Sequence, residues 1–309
     1  TGSGARSSSS AFPTAELGVF VSPVAGSGAL HVDEIVAGGP FDNSRTKLQK
    51  GSLITAIDGE KLEAGKDYFP LLNDKAGKRL LVSFRTASGE QVDEVIRPIS
   101  SSALNDLLYK RWVKQRAEEV ERVSKGTLGY VHIPSMGDPS FRTVYSDVMG
   151  KYYQKKGIVI DIRYNGGGRL HEDIEAFFTG KHYADQVVRD RQYSEMSSRR
   201  WNRPSVLVTC EADYSNAHGT PWVYQHLKVG KVVGMPVAGT MTSVNWVTLL
   251  DPSVYFGIPA VGFRLFDGRY LENTQMEPDV VVPLDPTKVL QGVDTQIEKA
   301  VEVLRAETK

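Results

Sequence analysis

Between Leu17 and Pro98 the apolar residues recur in short β-type runs broken by turn signals, GVFVSP, ALHVDEIV, GSLITAIDG, LLVSFRT and DEVIRPI, and then the period changes. From Ala103 to Lys125, residues Leu104, Leu107, Leu108, Trp112, Ala117, Val120 and Val123 fall mostly at helical spacings with charges between them. Beyond Gly126 the two periods alternate: LGYVHI, FRTVYSDVMGKYY, GIVIDIR, a helical stretch from Leu170 to Phe178, VLVTC, and a helix from about Asn216. Such alternation predicts α/β layering, whereas the β-type runs before Ala103 predict a small β-rich unit. At 309 residues the chain is long enough for two cores. The expected organisation is a polar lead over residues 1–15, a β-rich domain over 16–100, and a layered domain over 101–309 that includes a linking helix, 102–125. Residues 36–51, VAGGPFDNSRTKLQKG, predict a Gly-rich turn and a short helix.

Charge excludes one class of partner. Lys plus Arg equals Asp plus Glu at 37 each, so no surplus positive charge is available for a phosphate backbone, and nucleic acid is not expected. No apolar run approaches the ~18 to 20 residues that cross a bilayer, so no membrane span is expected in this chain. Cys210 is the only cysteine, which excludes an intramolecular disulfide and a multi-cysteine metal site. No metal or organic cofactor is expected.

Three segments carry the candidate chemistry. The apolar run Ile158 to Arg163 leads directly into Tyr164-Asn165-Gly166-Gly167-Gly168. Consecutive glycines after a buried strand allow turns that a Cβ forbids, leaving N–H groups free to face a cleft, as an oxyanion hole requires. A flexible turn would look the same, but a nucleotide-binding loop is disfavoured because no Gly-Lys-Ser/Thr follows. In the second segment, Val206 to Cys210 reads as a strand, and Ser215-Asn216-Ala217-His218 opens a helix. A serine at that junction lies beside free N–H groups and the positive helix end, so it serves either as a nucleophile or as a plain N-cap. In the third, Glu272 stands in Phe266-Asp267-Gly268-Arg269-Tyr270-Leu271-Glu272-Asn273, ahead of Met276-Glu277-Pro278-Asp279. A loop glutamate of this kind is ordinarily an exposed salt-bridge partner.

The order of Asp161 to Gly168, Tyr214-Ser215-Asn216-Ala217, Gly230-Lys231-Val232-Val233-Gly234 and Glu272-Asn273 through Pro278-Asp279 resembles the tail-specific and tricorn family of serine peptidases. GSLITAIDGEKL, with the Gly-rich turn before it, resembles PDZ domains, so the likeness covers nearly everything after residue 15. It implies a PDZ-like β domain followed by a crotonase/ClpP-like βα hydrolase domain. It also implies Ser215 as nucleophile, Glu272 as the fourth member of a tetrad, and an oxyanion hole from the N–H of Asn216 with that of Gly166 or Gly167. In the PDZ-like unit, Leu17-Gly18-Val19-Phe20 matches the loop that holds a peptide carboxylate while the peptide adds to a strand edge. Val19 and Phe20 would serve equally well as core residues.

The resemblance departs from the family at the general base. The processing branch uses a lysine in the stretch matching Ala238-Gly239-Thr240-Met241-Thr242-Ser243, which contains none. The tricorn branch uses a Ser-His pair that would fall at or before Thr1, so the expectation is a base supplied upstream and a weak or inactive chain without it. His218, His132 and His171 are the local alternatives by proximity. The implied activity is endopeptidase cleavage of unfolded polypeptide or oligopeptide, with a homo-oligomer as a further expectation. Relatives occupy both the cytoplasm and the bacterial periplasm or cell envelope, so no single compartment is expected. A noncatalytic peptide- or ligand-binding protein on the same fold is the alternative, and a crotonase-type acyl-CoA enzyme is another.

Overall fold

The computed structural model describes residues 2–3 and 13–308. The described residues divide into two compact units, one ending at Val113 and the other beginning at Lys114. The division falls inside helix α1, Ser101–Ser124.

In the first unit an antiparallel sheet runs in the order Val19–Pro23, Leu30–Ile35, Leu53–Ile57, Leu80–Arg85, Gln91–Ile96. Alternate residues Leu30 and Val32 on one strand and Leu80, Val82 and Phe84 on another point inward and join Ile54, Leu17, Phe41 and Leu48 in one core. The expected helix within 36–51 is absent, and turns take its place. Local side-chain bonds outcompete a helix there: Asp42 accepts the Gly38 N–H at 2.7 Å, and Asn43 Oδ1 accepts the Arg45 N–H at 3.0 Å.

Five parallel strands frame the second unit in the order Leu128–His132, Gly157–Asp161, Ser205–Thr209, Lys231–Gly234, Val280–Val281. Sheet order equals chain order, so every crossover steps the same way. Right-handed connections then put α2 (Asp138–Ser146), α3 (His171–Phe178) and α4 (Asn216–His226) on one face. On that face Val131, Ile158, Ile160, Leu207 and Val232 pack with Phe177, Trp201 and Tyr224. The opposite face needs another cover. A short α5, Pro286–Leu290, precedes α6, Thr295–Glu307, which packs against the central strands with Ile297, Ala300, Val301 and Leu304 fully buried. No helix is long and apolar enough to cross a membrane among the described residues.

Two hairpins are not legible in the hydrophobic pattern. Ala184–Val188 pairs with Arg191–Met196, and Ser243–Thr248 pairs with Val254–Val261. The first is exposed along most of its length and the second exposes apolar residues on both faces, so neither shows the alternation of a half-buried strand.

Candidate functional site

Parallel pairing brings the ends of two neighbouring strands together, because Asp161 lies opposite Val208 and the Ile162 N–H reaches Val208 O at 3.1 Å. The loops leaving those ends, 164–168 and 210–215, therefore run side by side.

Asn165, fully buried, ties them. Its N–H reaches Asp213 Oδ1 (3.2 Å), its carbonyl accepts the Tyr214 N–H (2.9 Å), its Oδ1 accepts the Gly167 N–H (2.8 Å) and its Nδ2 donates to Ile133 O (2.7 Å). Gly167, at φ +98°, lies so close to the serine turn that a Cβ there would sit 2.7 Å from Ser215 Cβ and 2.8 Å from Tyr214 O. No other residue type fits at this approach.

Ser215 stands immediately before α4 with φ +56° and ψ −120°, the first central position of a type II′ turn, which glycine ordinarily occupies. A serine held there costs about 1–3 kcal/mol of strain. Its side chain does not cap the helix, and no hydrogen bond to its hydroxyl occurs among the described residues. The Ser215 N–H donates to Thr240 Oγ1 at 3.0 Å. Glu272 Oε2 accepts the Met241 and Thr242 N–H groups at 2.8 and 2.7 Å. Ser215, the glycine bend and Glu272 thus belong to one bonded assembly, with Ser215 and Glu272 both half-buried.

Of the expected amide donors, Gly167 N–H is taken by Asn165. No acceptor engages the Gly166 or Asn216 N–H among the described residues. The Asn216 side chain links α4 to α3, because its Oδ1 accepts the Leu170 and His171 N–H groups at 2.8 and 3.2 Å. That leaves Nδ2 to face His171 Nδ1 at 2.8 Å, which makes Nδ1 an acceptor and puts the neutral ring's proton on Nε2. His171 is therefore a donor in this tautomer, not a base at Nε2. His218 is fully buried, with Nε2 2.9 Å from Thr274 O, and burial pushes its pKa down although the Thr274 carbonyl and Glu272 oppose that. Burial likewise lowers His132, at the end of its strand.

Asp213 carries no motif signal of its own, although it lies two residues before the serine. Its carboxylate accepts the Cys210 N–H at 2.9 Å as well as that of Asn165, yet burial dominates and pushes it up to about 7. Burial also pushes the Cys210 thiol up to about 12. A folded pKa above the unfolded 3.8 means that Asp213 favours the native state fully below about pH 4, and that this contribution fades as pH rises towards about 7. Urea unfolding from pH 4 to 8 should show wild-type stability falling relative to Asp213→Asn across that window, by at most roughly 4 kcal/mol. Parallel curves would remove Asp213 as the cause.

An open cleft of about 870 Å³ runs beside this assembly along α4. His171, Met241 and Leu271, each bonded or adjacent to a site residue, line it together with Trp222, Phe263 and Phe266. Among the described residues no group of three or more His, Cys, Asp or Glu side chains could hold a metal ion.

In the first unit, Leu17 is buried and Gly18, at φ +72°, closes on Pro40, its carbonyl accepting the Val36 N–H at 3.0 Å. Val19 packs against the core, but Phe20 faces outward, 39% exposed, with the Arg111 guanidinium 5.8 Å above its ring. Val19–Pro23 is a sheet edge, and among the described residues the only helical element between the strands is a single 3₁₀ turn, Phe69–Leu72.

Residues 127–282 match the family model of peptidase family S41, and residues 30–101 match that of the tricorn protease PDZ domain. The second match begins after the Leu17–Phe20 loop. The tricorn protease of Thermoplasma acidophilum is 27% identical over 261 residues, 84% of this chain and 24% of the relative. The tricorn protease homolog of Saccharolobus solfataricus is 26% identical over 269 residues, 85% of this chain and 24% of the relative. The chain thus spans about a quarter of the length of the curated relatives it matches. The crystal structure of the tricorn protease superposes with a TM-score of 0.80 at 24% identity, covering 96% of this chain and 29% of that one. The architecture is accordingly a PDZ-like domain followed by a peptidase domain of mixed α/β layers.

Proposed function

The chain belongs to peptidase family S41, and from that premise we propose that Ser215 is the nucleophile of an endopeptidase acting on polypeptides or oligopeptides. The observation that carries the reading is the Ser215 backbone: a strained, helix-opening serine with an uncommitted hydroxyl, against a glycine that admits no side chain. Strain of this kind persists where the surroundings over-determine it, and strand-to-helix nucleophiles are one such place.

In this mechanism the Ser215 hydroxyl attacks a peptide carbonyl, its proton passes to a base, and the carbonyl oxygen becomes an oxyanion. The Asn216 N–H, at the positive end of α4, and the Gly166 N–H are its assigned donors, each worth ~10²- to 10³-fold in rate. Collapse of the tetrahedral intermediate, with the base returning that proton to the departing nitrogen, expels the amine and leaves an acyl-enzyme at Ser215, which water then hydrolyses to the free acid and serine. Glu272 is assigned the fourth tetrad position, its Oε2 holding the Met241 and Thr242 amides. No residue of 13–308 is assigned as the base. His171 is tautomer-locked as a donor and His218 holds Thr274. The cleft along α4, lined by Trp222, Met241, Phe263, Phe266 and Leu271, suits an apolar stretch of substrate. The open edge at Val19–Pro23 suits an extended peptide added as a further strand.

A fluorophosphonate should form one adduct, located at Ser215 by mass spectrometry, and a peptide rich in Phe and Leu should slow its formation where an Asp-rich peptide does not. Labelling of a different residue, or none in a chain that carries its base, would overturn the assignment.

A further inference from the structure

The strained Ser215 backbone needs anchors on both sides. Upstream, the Tyr214 N–H bonds to Asn165 O, and downstream the His218 N–H closes on Ser215 O at 2.8 Å. Gly219 N–H adds a longer bond to Ser215 O at 3.3 Å, and a side chain from another part of the chain holds the Ser215 amide: Thr240 Oγ1, which accepts its N–H at 3.0 Å.

Thr240 is itself held. Its hydroxyl proton is directed to Ala238 O at 3.3 Å, which turns the oxygen lone pairs towards Ser215. The strap around it, 237–242, is zipped to 272–276. Val237 and Met276 exchange both backbone bonds at 2.9 Å, the Asn273 N–H reaches Gly239 O at 2.9 Å, and Glu272 Oε2 takes the Met241 and Thr242 N–H groups. A Cβ on Gly239 would lie 2.3 Å from Thr274 N, so the two segments are as close as backbones pack. A chain of short bonds therefore runs from the Glu272 carboxylate through the strap to the Ser215 amide.

We propose that Thr240 is a positioning residue for the nucleophile: anchored by Glu272 through the 240–242 strap, its hydroxyl oxygen fixes the Ser215 amide and so aims the Ser215 side chain. The proposal rests on the reading of Ser215 as nucleophile. It gives Glu272 a second task besides any contact with the base.

Two readouts separate the clamp from the chemistry. Hydrogen exchange of the Ser215 amide, followed by NMR on serine-labelled protein, reports the bond directly and needs no activity. Thr240→Val keeps the branched shape without the acceptor and should speed that exchange about tenfold. Thr240→Ser keeps the acceptor and should stay near wild type. The rate of fluorophosphonate labelling should fall about a hundredfold in Thr240→Val, because a small misplacement of the attacking atom is costly, and recover in Thr240→Ser. Thr240→Ala repeats the test if the valine variant folds poorly by circular dichroism. Unchanged exchange in a folded Thr240→Val, or a serine variant as impaired as the valine one, overturns the proposal. Wild-type protein that never labels in a chain that carries its base, while the Ser215 amide responds as expected, would retain the clamp and remove the nucleophile.

Discussion

Ser215→Ala is expected to reduce peptide-bond hydrolysis by about 10⁴- to 10⁶-fold, measured in a chain that contains its base, and to abolish the fluorophosphonate adduct. On the proposed assignment the loss is large because the hydroxyl would be the atom that bonds to substrate, and the amides of Asn216 and Gly166 would stabilise only an oxyanion that something generates. Stability is the discriminating control. Alanine keeps the Cβ that meets Gly167 and keeps the same φ, so the strain at position 215 is unchanged and the thermal midpoint should hardly move. The Ser215 hydroxyl makes no hydrogen bond among the described residues, so its deletion leaves none of them unpaired. A variant that retains turnover would end the assignment of Ser215. A variant that loses both turnover and fold would assign the serine to structure.

Arg163→Met should cost about 3–5 kcal/mol, the largest single-residue stability effect expected in the peptidase unit. Arg163 is completely buried at the strand end that leads into the glycine bend. Its guanidinium bonds Asp161 at 2.9 and 2.7 Å, Asp294 at 2.9 Å and Gln296 at 2.9 Å, while the Tyr130 hydroxyl donates to Asp161 at 2.9 Å. Removing the cation strands Asp161 in the interior without its counter-charge and, among the described residues, leaves Asp294 only Arg116, 3.5 Å away. Because Asp294 caps α6 by accepting the Gln296 and Ile297 N–H groups, the damage reaches the helix covering the far face of the sheet. Urea unfolding should report the loss directly, and the triple replacement Asp161→Asn, Arg163→Met, Asp294→Asn should recover much of it. A cost below about 1 kcal/mol for the single variant would show that water or relaxation compensates the stranded charges.

How much of the molecule is legible in one dimension follows from the kind of signal each residue emits. The parallel sheet announces itself because strands buried on both faces read as continuous apolar runs, and Gly157–Asp161 and Ser205–Thr209 are buried at every position. Ser215, Asn216 and the glycines are legible because their spacing from those strand ends places them at strand-to-helix turns. The tautomer of His171 is not legible, since it depends on Asn216, 45 positions away, turning its amide to satisfy α3. Nor is the engagement of Gly167 N–H by Asn165, because a triple glycine offers three equivalent amides until a fold consumes one. The turns at 36–51 differ from the expected helix for a local reason, namely that Asp42 and Asn43 satisfy the backbone N–H groups of Gly38 and Arg45.

Sequence alone therefore determined the elements that local chemistry controls: two cores, an alternating βα order, a glycine bend and a serine at a helix start. Hydrophobic period and the absence of a Cβ act over a few residues, so they can be read without knowing what lies nearby in space. Tertiary structure alone decided what holds the serine. Thr240 is an ordinary loop threonine until folding sets its oxygen 3.0 Å from an amide 25 residues before it, and Glu272 is an ordinary loop glutamate until it gathers the Met241 and Thr242 amides. Hydrogen bonds reach only about 3 Å, and which distant backbone group falls within that reach is set by packing of the whole sheet and its helices.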